Sequence, residues 1–468
     1  MDMIQVTDLS VKTKSGLTLV EPINLRLQQG RNLTILGETG SGKSLLAQAI
    51  MGALPDGLIF EGDVKIHGET PEKMAPYWGK QLAMLPQEPV RSLDPTMTIL
   101  NQVWESLYFV AKQPEKAEEK SQQKLAALGL GKFIDYYPHQ LSGGMAQRVA
   151  FAVATSGGAK IVIADEPTKG LDSISKGVVI RMLQLVAEQC GTLLTITHDI
   201  EVAEQLGGNM MVMKKGKLLE QGDTEQILQA PRSDYAKALI AAMPKYWEKA
   251  DKKPLQQDVL LTVTDLGLNR GKRVLFEKMN FELKQGEVIG IVGDSGIGKS
   301  SLGDALCGLL KPKCGKISWK FQPKRHQVLK LYQDPPAAFA PNIKLQTLLD
   351  DVINKHKLDR SRIPYLLEQL KLTPDLLQRS AENVSGGELQ RIAILRALLF
   401  NPVLLFADEV TSRLDPITQK ETLDLLTEQC HQHHCSLVIV SHDHDLIEHY
   451  CHQVIDLGKH VIAWNGKN

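Results

Sequence analysis

Long hydrophobic runs are missing from this 468-residue sequence. No stretch of about 18 apolar residues without charge occurs, so no transmembrane helix is predicted. The longest candidate, Ile392–Phe406, contains Arg396 and is followed closely by Asp408. The first ten residues, MDMIQVTDLS, also lack the basic and apolar regions of a signal peptide. We therefore expect a cytosolic protein that reaches a membrane only through partner subunits.

An excess of one charge is also missing, because 54 Lys and Arg side chains balance 54 Asp and Glu. Nucleic-acid binders usually carry a basic excess, so we expect no nucleic-acid partner. The six cysteines form no Cys-x-x-Cys pair, which argues against a disulfide framework. The stretch CHQHHC at 430–435 has the composition of a metal site. We interpret it instead as a helix end and turn before the apolar strand SLVIVSH.

An internal repeat decides the architecture, because five motifs occur twice in the same order. The pairs are GETGSGKS and GDSGIGKS, LPQEP and LYQDP, LSGGMAQR and VSGGELQR, IVIADEPTKGLD and LLFADEVTSRLD, and ITHD and VSHD. The second copy is about ten residues shorter between its lysine and its glutamine, and it keeps the register elsewhere. We predict a first domain at 1–245, a linker at 246–259 and a second domain at 260–468.

A phosphate-binding loop opens each copy, between an apolar strand and a helix. Gly-x-x-x-x-Gly-Lys-Ser in this setting directs backbone N–H groups and a helix N-terminus at an anion. Lys43 and Lys299 are predicted to contact the β- and γ-phosphates of a nucleotide, and Ser44 and Ser300 to ligate Mg²⁺. The predicted nucleotide-binding residues of the loops are Gly37, Glu38, Thr39, Gly40, Ser41, Gly42, Lys43 and Ser44, and Gly293, Asp294, Ser295, Gly296, Ile297, Gly298, Lys299 and Ser300.

Adjacent acids end a second apolar strand in each copy. The strand carries them to the sheet edge where ligands bind. Asp165 and Asp408 are predicted to hold the Mg²⁺ shell, while Glu166 and Glu409 position or deprotonate the attacking water. A histidine follows a third apolar strand in both copies. We expect His198 and His442 to contact the γ-phosphate.

The Ser-Gly-Gly motifs have no role in a generic phosphate-loop enzyme. Together with the other four motifs they make nearly the whole chain resemble the ATP-binding-cassette (ABC) ATPases. The resemblance implies an α/β fold of two tandem nucleotide-binding domains. Each would have a RecA-like core, an antiparallel β subdomain and a helical signature subdomain. It also implies that Gln87 and Gln333 lie beside the metal and the reacting phosphate, and that the two domains pack head to tail as an intramolecular dimer.

In that arrangement the signature of one domain closes over ATP held by the other. Ser385, Gly386 and Gly387 would complete the first phosphate loop, and Ser142, Gly143 and Gly144 the second. Asp172 and Asp415 match the loops that link the two sites in the family. The fifth signature residue, usually Gln, is Met145 in one copy and Glu388 in the other. We expect altered rates rather than loss of activity from this departure.

Within the family, QEPVRSLDPTMTI and the tail APRSDYAKALIAAMP resemble the oligopeptide, dipeptide and nickel importer ATPases. Tyr235, Leu239 and Pro244 keep that tail's pattern. This resemblance implies import of peptides, nickel or a metal-chelating, opine-like carrier at the cytoplasmic face of the bacterial inner membrane. Segments Glu88–Val110 and Asp334–Val352 would receive two permease subunits, which take cargo from a solute-binding protein.

Other classes of tandem ABC protein stay open. One acts on ribosomes or DNA, but its members carry a long charged linker or paired-cysteine zinc modules that this sequence lacks. A second energises sugar import, with a second half that is usually degenerate. A third is an accessory protein of a soluble enzyme complex. The residue that stacks on adenine is not evident, although Thr13 and Arg270 lie near the expected place.

Overall fold

The computed structural model describes residues 2–38, 40–87, 92–169, 171, 173–188, 191–248, 258–271, 273–294, 296–333, 338–412 and 414–460. The chain divides into two compact units, Met1–Ala241 and Ala242–Asn468. The predicted domain limits at 245 and 260 stay a prediction, and most of the predicted linker lies outside the described residues. Among the described residues, every helix falls short of the length and apolar character needed to cross a bilayer.

The first unit opens with an antiparallel sheet whose strand order is β2-β1-β4. Alternating apolar side chains of these strands pack on the helix that follows the phosphate loop and on one face of the central sheet. This sheet explains the alternating pattern at the start of the sequence. The bounds are β1 (Asp2–Thr13), β2 (Thr18–Gln28), β3 (Asn32–Leu36), α1 (Lys43–Ile50), β4 (Leu58–Ile66) and β5 (Leu82–Leu85).

The central sheet of the first unit has the order β5-β6-β7-β3-β8-β9. Strands β5, β6, β7, β3 and β8 run parallel, and β9 returns antiparallel. Buried helices cover the second face, and α4 also packs with α2 and α3 in a second, helical cluster. The bounds are α2 (Ile99–Glu105), α3 (Ala117–Ala127), α4 (Gly143–Ser156), β6 (Ile161–Asp165), α5 (Ser173–Glu188), β7 (Thr192–Thr197), α6 (Ile200–Leu206), β8 (Asn209–Lys214), β9 (Lys217–Asp223), α7 (Thr224–Gln229) and α8 (Asp234–Ala241).

The second unit repeats this plan with an antiparallel sheet β11-β10-β13 and a fully parallel sheet β14-β15-β16-β12-β17. CHQHHC forms the end of α13 and the turn before β16, as predicted. The bounds are β10 (Val259–Arg270), β11 (Arg273–Lys284), β12 (Val288–Val292), α9 (Lys299–Leu306), β13 (Cys314–Trp319), β14 (Val328–Leu331), α10 (Leu345–His356), α11 (Arg362–Gln369), α12 (Gly386–Leu398), β15 (Leu404–Asp408), α13 (Pro416–Gln432), β16 (Ser436–Val440), α14 (His444–Tyr450) and β17 (Gln453–Asp456).

Strand order places the functional motifs together. In the first unit β7 lies between β3 and β6, and all three are parallel. Their carboxyl ends therefore meet at one edge, where β3 leads into the phosphate loop, β6 ends at Asp165 and β7 leads to His198. Strands β12, β15 and β16 do the same in the second unit.

Candidate nucleotide-binding sites

The first phosphate loop wraps around the ammonium group of Lys43. Lys43 Nζ donates hydrogen bonds to the carbonyl oxygens of Gly37 (2.7 Å) and Glu38 (2.8 Å). Gly42 adopts a left-handed backbone with φ of 91°, and a Cβ there would come within 2.8 Å of Val20 Cγ2 in the antiparallel sheet. A side chain at position 42 is therefore unfavourable for two reasons, the left-handed backbone and the close contact with Val20.

The second loop has the same geometry. Lys299 Nζ donates to the carbonyl oxygens of Gly293 (2.7 Å) and Asp294 (3.1 Å), and Gly298 has φ of 120°. In both units the lysine leads directly into a helix, α1 or α9, so its N-terminus faces the loop. Of the predicted loop residues, only Thr39 and Ser295 lie outside the described part of the chain.

Asp165 occupies a buried position at the end of β6, with 4% of its surface exposed. Burial raises the pKa of this carboxyl group, a hydrogen bond with Ser44 opposes the rise, and the charge of Glu166 adds to it. The buried Asp165 Oδ1 has no hydrogen-bond partner among the described residues. A free carboxylate oxygen next to a serine hydroxyl is the oxygen donor set that suits Mg²⁺, so the residues of the first unit fit this ion.

Glu166 meets the predicted histidine. His198 Nδ1 lies 2.8 Å from Glu166 Oε2, although the ring N–H is not aligned for a regular hydrogen bond. Burial alone would raise the pKa of Glu166. The nearby His198, together with the charges of Lys43 and Lys169, outweighs burial and holds the pKa below its usual value. An ionised carboxylate is the form that a water-positioning group or general base requires.

Glu409 gathers a larger set of partners in the second unit. Gln333 Nε2 donates to Glu409 Oε2 at 2.9 Å, and His442 Nδ1 lies 3.5 Å from Glu409 Oε1. Lys299 Nζ lies 3.7 Å from the same oxygen. Burial would raise the pKa of Glu409, but His442 and Lys299 hold it below its usual value. Gln87, the counterpart of Gln333, is exposed and is not brought to Glu166 by any described contact.

Both glutamates share an unusual backbone. Glu166 has φ of 48° and Glu409 has φ of 49°, in the left-handed region that few residues other than glycine adopt. Such a conformation costs on the order of 1 kcal/mol or more and persists only where the surroundings hold it. The Glu166 N–H donates to Ile196 O at 2.8 Å, which is one such restraint. Both units therefore turn the chain sharply at the residue that follows the aspartate.

Asp408 differs from Asp165 because a buried lysine binds it directly. Lys330 Nζ lies 2.9 Å from Asp408 Oδ2 and 2.9 Å from Asp304 Oδ1, and it donates to Ser300 O at 3.0 Å. Burial would lower the pKa of Lys330, but the two carboxylates reverse the effect and raise it. The second unit keeps the oxygen donors expected around Mg²⁺, with one carboxylate already paired to an ammonium group.

Each signature serine caps a helix. Ser142 Oγ accepts a hydrogen bond from Met145 N at 3.3 Å at the start of α4. Ser385 Oγ accepts one from Glu388 N at 3.3 Å, and Glu388 Oε2 accepts from the Ser385 N–H at 2.9 Å, a complete capping box at the start of α12. Both motifs therefore present helix N-termini suited to an anion.

The tail helix of the first unit also reaches the phosphate loop. The Glu38 N–H donates to Tyr235 Oη at 2.8 Å, and Lys214 Nζ lies 4.5 Å from the centre of the Tyr235 ring. The sequence marked Tyr235 only as part of a family-like tail. Lys330 was missed altogether, although a charge inside the apolar strand VLKL was a signal that could have found it.

A family model described as "ABC transporter" matches residues 20–169 and 276–412, which is more than half of the chain. The chain belongs to the ABC transporter family. It is an ATPase with two ABC domains in one polypeptide, and the predicted family, fold class and enzymatic activity are confirmed.

Curated ABC proteins resemble it from end to end. An "Uncharacterized ABC transporter ATP-binding protein YejF" of Escherichia coli K12 is 32% identical over 494 residues, covering 96% of this chain and 92% of that protein. A "Peptidoglycan transport ATP-binding protein YejF" of Agrobacterium fabrum is 31% identical, with 94% and 88% covered. The "Glutathione import ATP-binding protein GsiA" of Escherichia coli K12 is 30% identical, with 97% and 84% covered.

Solved ABC structures share the fold. A structure titled "RNase-L Inhibitor" has a TM-score of 0.67 at 22% identity and covers 96% of this chain and 87% of that one. A second, a complex of the archaeal ribosomal stalk protein aP1 with the ribosome recycling factor aABCE1, has a TM-score of 0.68 at 22% identity, with 96% and 87% covered. Likeness at this level of identity concerns the architecture alone.

Proposed function

We propose that this ABC ATPase energises the import of small peptides or peptide-derived molecules through two permease subunits. A solute-binding protein delivers the cargo to these permeases. The observation that carries the proposal is the similarity over 94–97% of the chain to transporter ATP-binding proteins, two of which are named for glutathione import and peptidoglycan transport. Such a function places the chain at the inner face of the membrane, bound through its partners.

The two ATP sites in this proposal are shared between the units. We infer from the family resemblance that, when ATP is bound, each phosphate loop pairs with the signature of the other half, so that both sites need the whole chain. Both units carry a complete set of the expected groups, which supports two working sites. The sets are Gly37–Ser44, Gln87, Asp165, Glu166 and His198 with Ser385, Gly386 and Gly387, and Gly293–Ser300, Gln333, Asp408, Glu409 and His442 with Ser142, Gly143 and Gly144.

Hydrolysis requires the chain to hold the phosphates and to activate water. Lys43 and the loop amides bind the β- and γ-phosphates, and ionised Glu166 orients or deprotonates the attacking water. In this mechanism His198, which lies beside Glu166, senses the γ-phosphate and orients that carboxylate. Mg²⁺ held by Ser44, Gln87 and Asp165 would neutralise charge on the phosphate oxygens. Loss of the γ-phosphate then removes contacts that favour the closed state of the two halves.

Trapping this cycle tests the shared sites. In the double variant Glu166→Gln with Glu409→Gln, water activation is lost while the phosphate contacts remain. We expect ATP to stay bound, measured as retained radiolabelled nucleotide after gel filtration, and the closed form to accumulate. The single variants serve as controls, each keeping one intact glutamate. Normal turnover by the double variant would contradict the assignment.

An exposed aromatic cluster supports a partner surface on the first unit. Trp104, Tyr108 and Phe109 pack together, with ring centroids 4.6 Å apart for Trp104 and Tyr108 and 4.7 Å for Tyr108 and Phe109. Phe109 is nevertheless 63% exposed. Exposed, clustered aromatic rings are typical of protein interfaces. The cluster lies within the segment Glu88–Val110 proposed to receive a permease, of which 88–91 lie outside the described residues, as do 334–337 of Asp334–Val352.

A matched pair of variants tests this surface. Phe109→Ala removes the most exposed ring of the cluster, and Leu17→Ala removes an equally exposed apolar side chain (63%) from the connection between β1 and β2. Both proteins should fold and hydrolyse ATP normally in solution. We expect only Phe109→Ala to lose co-purification with permeases from detergent-solubilised membranes. Equal retention of both variants would refute the role of this cluster.

Cargo and cellular target are tested on the intact complex. Proteoliposomes with the co-purified permeases and binding protein should take up glutathione or a muropeptide when ATP is supplied inside. ATP-driven uptake of Ni²⁺ or of a metal chelate, with none of peptides, would overturn the peptide assignment. Co-sedimentation of the tagged protein with ribosomes rather than membranes would overturn import itself.

A further inference from the structure

The two ATP sites differ in one buried charge. Lys330 stands at the third residue of β14, paired with Phe406 of the neighbouring strand. Met84 holds the same place in the first unit, at the third residue of β5 and paired with Ile163. The neighbouring strands β15 and β6 then continue to Ala407 and Ala164, one residue before the two aspartates. Lys330 and Met84 therefore occupy equivalent positions.

A second difference accompanies the first. Asp304, the other carboxylate bound by Lys330, is the sixth residue of α9. The sixth residue of α1 is Gln48. The first unit thus has a thioether and an amide where the second has an ammonium and a carboxylate. The side chain of Lys330 is only 5% exposed, so water screens its charge weakly.

The consequences fall on the aspartate of each site. Asp165 keeps a buried oxygen without a partner among the described residues, while the charges of Lys43 and Lys169 act on its carboxyl group. Asp408 instead has one oxygen 2.9 Å from Lys330 Nζ. A cation already bound to a carboxylate lowers its attraction for a second cation, since like charges repel over this range.

We propose that Lys330 is a positioning residue that holds Asp408 and reduces the affinity of the second ATP site for Mg²⁺, so that the two sites load Mg²⁺–nucleotide at different Mg²⁺ concentrations. The proposal rests on ATP binding by both halves and on the assignment of Asp408 to the metal shell. It does not depend on the cargo or on import.

Site-isolated proteins test it by binding rather than turnover. Lys43→Ala disables the first loop and leaves the second site to be observed, and Lys299→Ala does the reverse. The Mg²⁺ concentration that gives half-maximal binding of a fluorescent ATP analogue is measured for each. We expect the second site to need more Mg²⁺ than the first.

Lys330→Met, which installs the residue of the first unit, should lower the Mg²⁺ requirement of the second site by about fivefold, equivalent to about 1 kcal/mol. Lys330→Arg keeps the charge and should leave it unchanged. Lys330→Met leaves the carboxylate of Asp304 without its lysine partner, and adding Asp304→Gln removes that carboxylate. The Mg²⁺ requirement of the second site should stay below that of the wild type in this double variant. Electron paramagnetic resonance of Mn²⁺ bound with the analogue gives a second, direct readout.

The outcomes separate the possibilities. If Asp408→Asn changes the Mg²⁺ requirement and Lys330→Met does not, Lys330 only packs the core and the proposal is overturned. If Asp408→Asn has no effect either, the assignment of the metal shell fails with it. Should Lys330→Met not fold, Met84→Lys in the Lys299→Ala background tests the reverse change. It should raise the requirement of the first site, and an unchanged value would overturn the proposal.

Discussion

Neighbouring glycines in the second signature predict opposite effects of the same substitution. A Cβ on Gly386 would meet no atom within 4 Å in its own unit, whereas one on Gly387 would come within 2.6 Å of Thr418 Cγ2. Gly386 is the first residue of α12 and lies outside the left-handed region. Replacing it by alanine should therefore leave the free energy of unfolding unchanged or raise it by up to about 1 kcal/mol.

Gly387→Ala should instead destabilise the protein by about 1–3 kcal/mol, because α12 must move away from Thr418. The first signature offers a matched pair. A Cβ on Gly143 would lie at an ordinary 3.8 Å from Leu171 Cδ2, and one on Gly144 at 2.8 Å from Ser175 Oγ. Chemical denaturation followed by circular dichroism measures all four variants.

The effects on ATPase activity should not follow the effects on stability, because Gly386→Ala should impair activity although it leaves the fold intact. If Gly386 caps ATP held by the opposite phosphate loop, an added methyl group displaces the phosphate, and a misplacement of about 1 Å can cost about 100-fold in rate. We expect the double variant Gly143→Ala with Gly386→Ala to be as stable as the wild type and to lose most steady-state ATPase activity. Wild-type turnover by this double variant would refute the shared sites.

Three further predictions concern single contacts. Tyr235→Phe removes the hydrogen bond to the phosphate loop, worth about 1 kcal/mol, and should weaken ATP binding about fivefold at the first site alone, measured in site-isolated proteins. Burial raises the pKa of the Cys307 thiol to about 12, so alkylation at pH 8 followed by peptide mapping should label exposed Cys314 and spare Cys307. Burial tends to raise the pKa of Glu388, but the hydrogen bonds from Ser385 outweigh it and hold that pKa below its usual value. The stabilising contribution of Glu388 is thus present above about pH 4.3, the usual glutamate pKa, and is lost as the pH falls through the lowered value. The difference in melting temperature between wild type and Glu388→Gln should therefore be largest near neutral pH and should vanish once acid has protonated Glu388.

The motifs revealed much of this site because each one carries its own local geometry. A glycine-rich loop between an apolar strand and a helix can form few other structures, and Lys43 and Lys299 each hydrogen-bond to carbonyl oxygens of such a loop. Asp165 and Asp408 likewise end buried strands, as the pattern of apolar residues before two acids indicates. Local patterns of this kind do not depend on distant parts of the chain.

Contacts between distant segments were not predicted, because they leave no local pattern in the sequence. Tyr235 and Glu38 are separated by 197 residues and Lys330 and Asp304 by 26, and no local pattern links either pair. Gln87 and Gln333 occupy equal places in the two repeats, yet only Gln333 contacts the glutamate that follows its aspartate. Equal motifs do not impose equal side-chain contacts, because neighbouring residues decide them.

The sequence by itself determined the repeat and the α/β class and predicted the chemistry of each motif, since spacing and residue type are enough to specify a phosphate loop and a strand that ends in acids. Only the tertiary structure decided how the side-chain contacts of the two copies differ. Strand register brings Lys330 to Asp408 in one unit, whereas in the other it leaves Asp165 with an oxygen that no described residue pairs. A charge acts over a few ångströms of space rather than along the chain, and folding sets those distances.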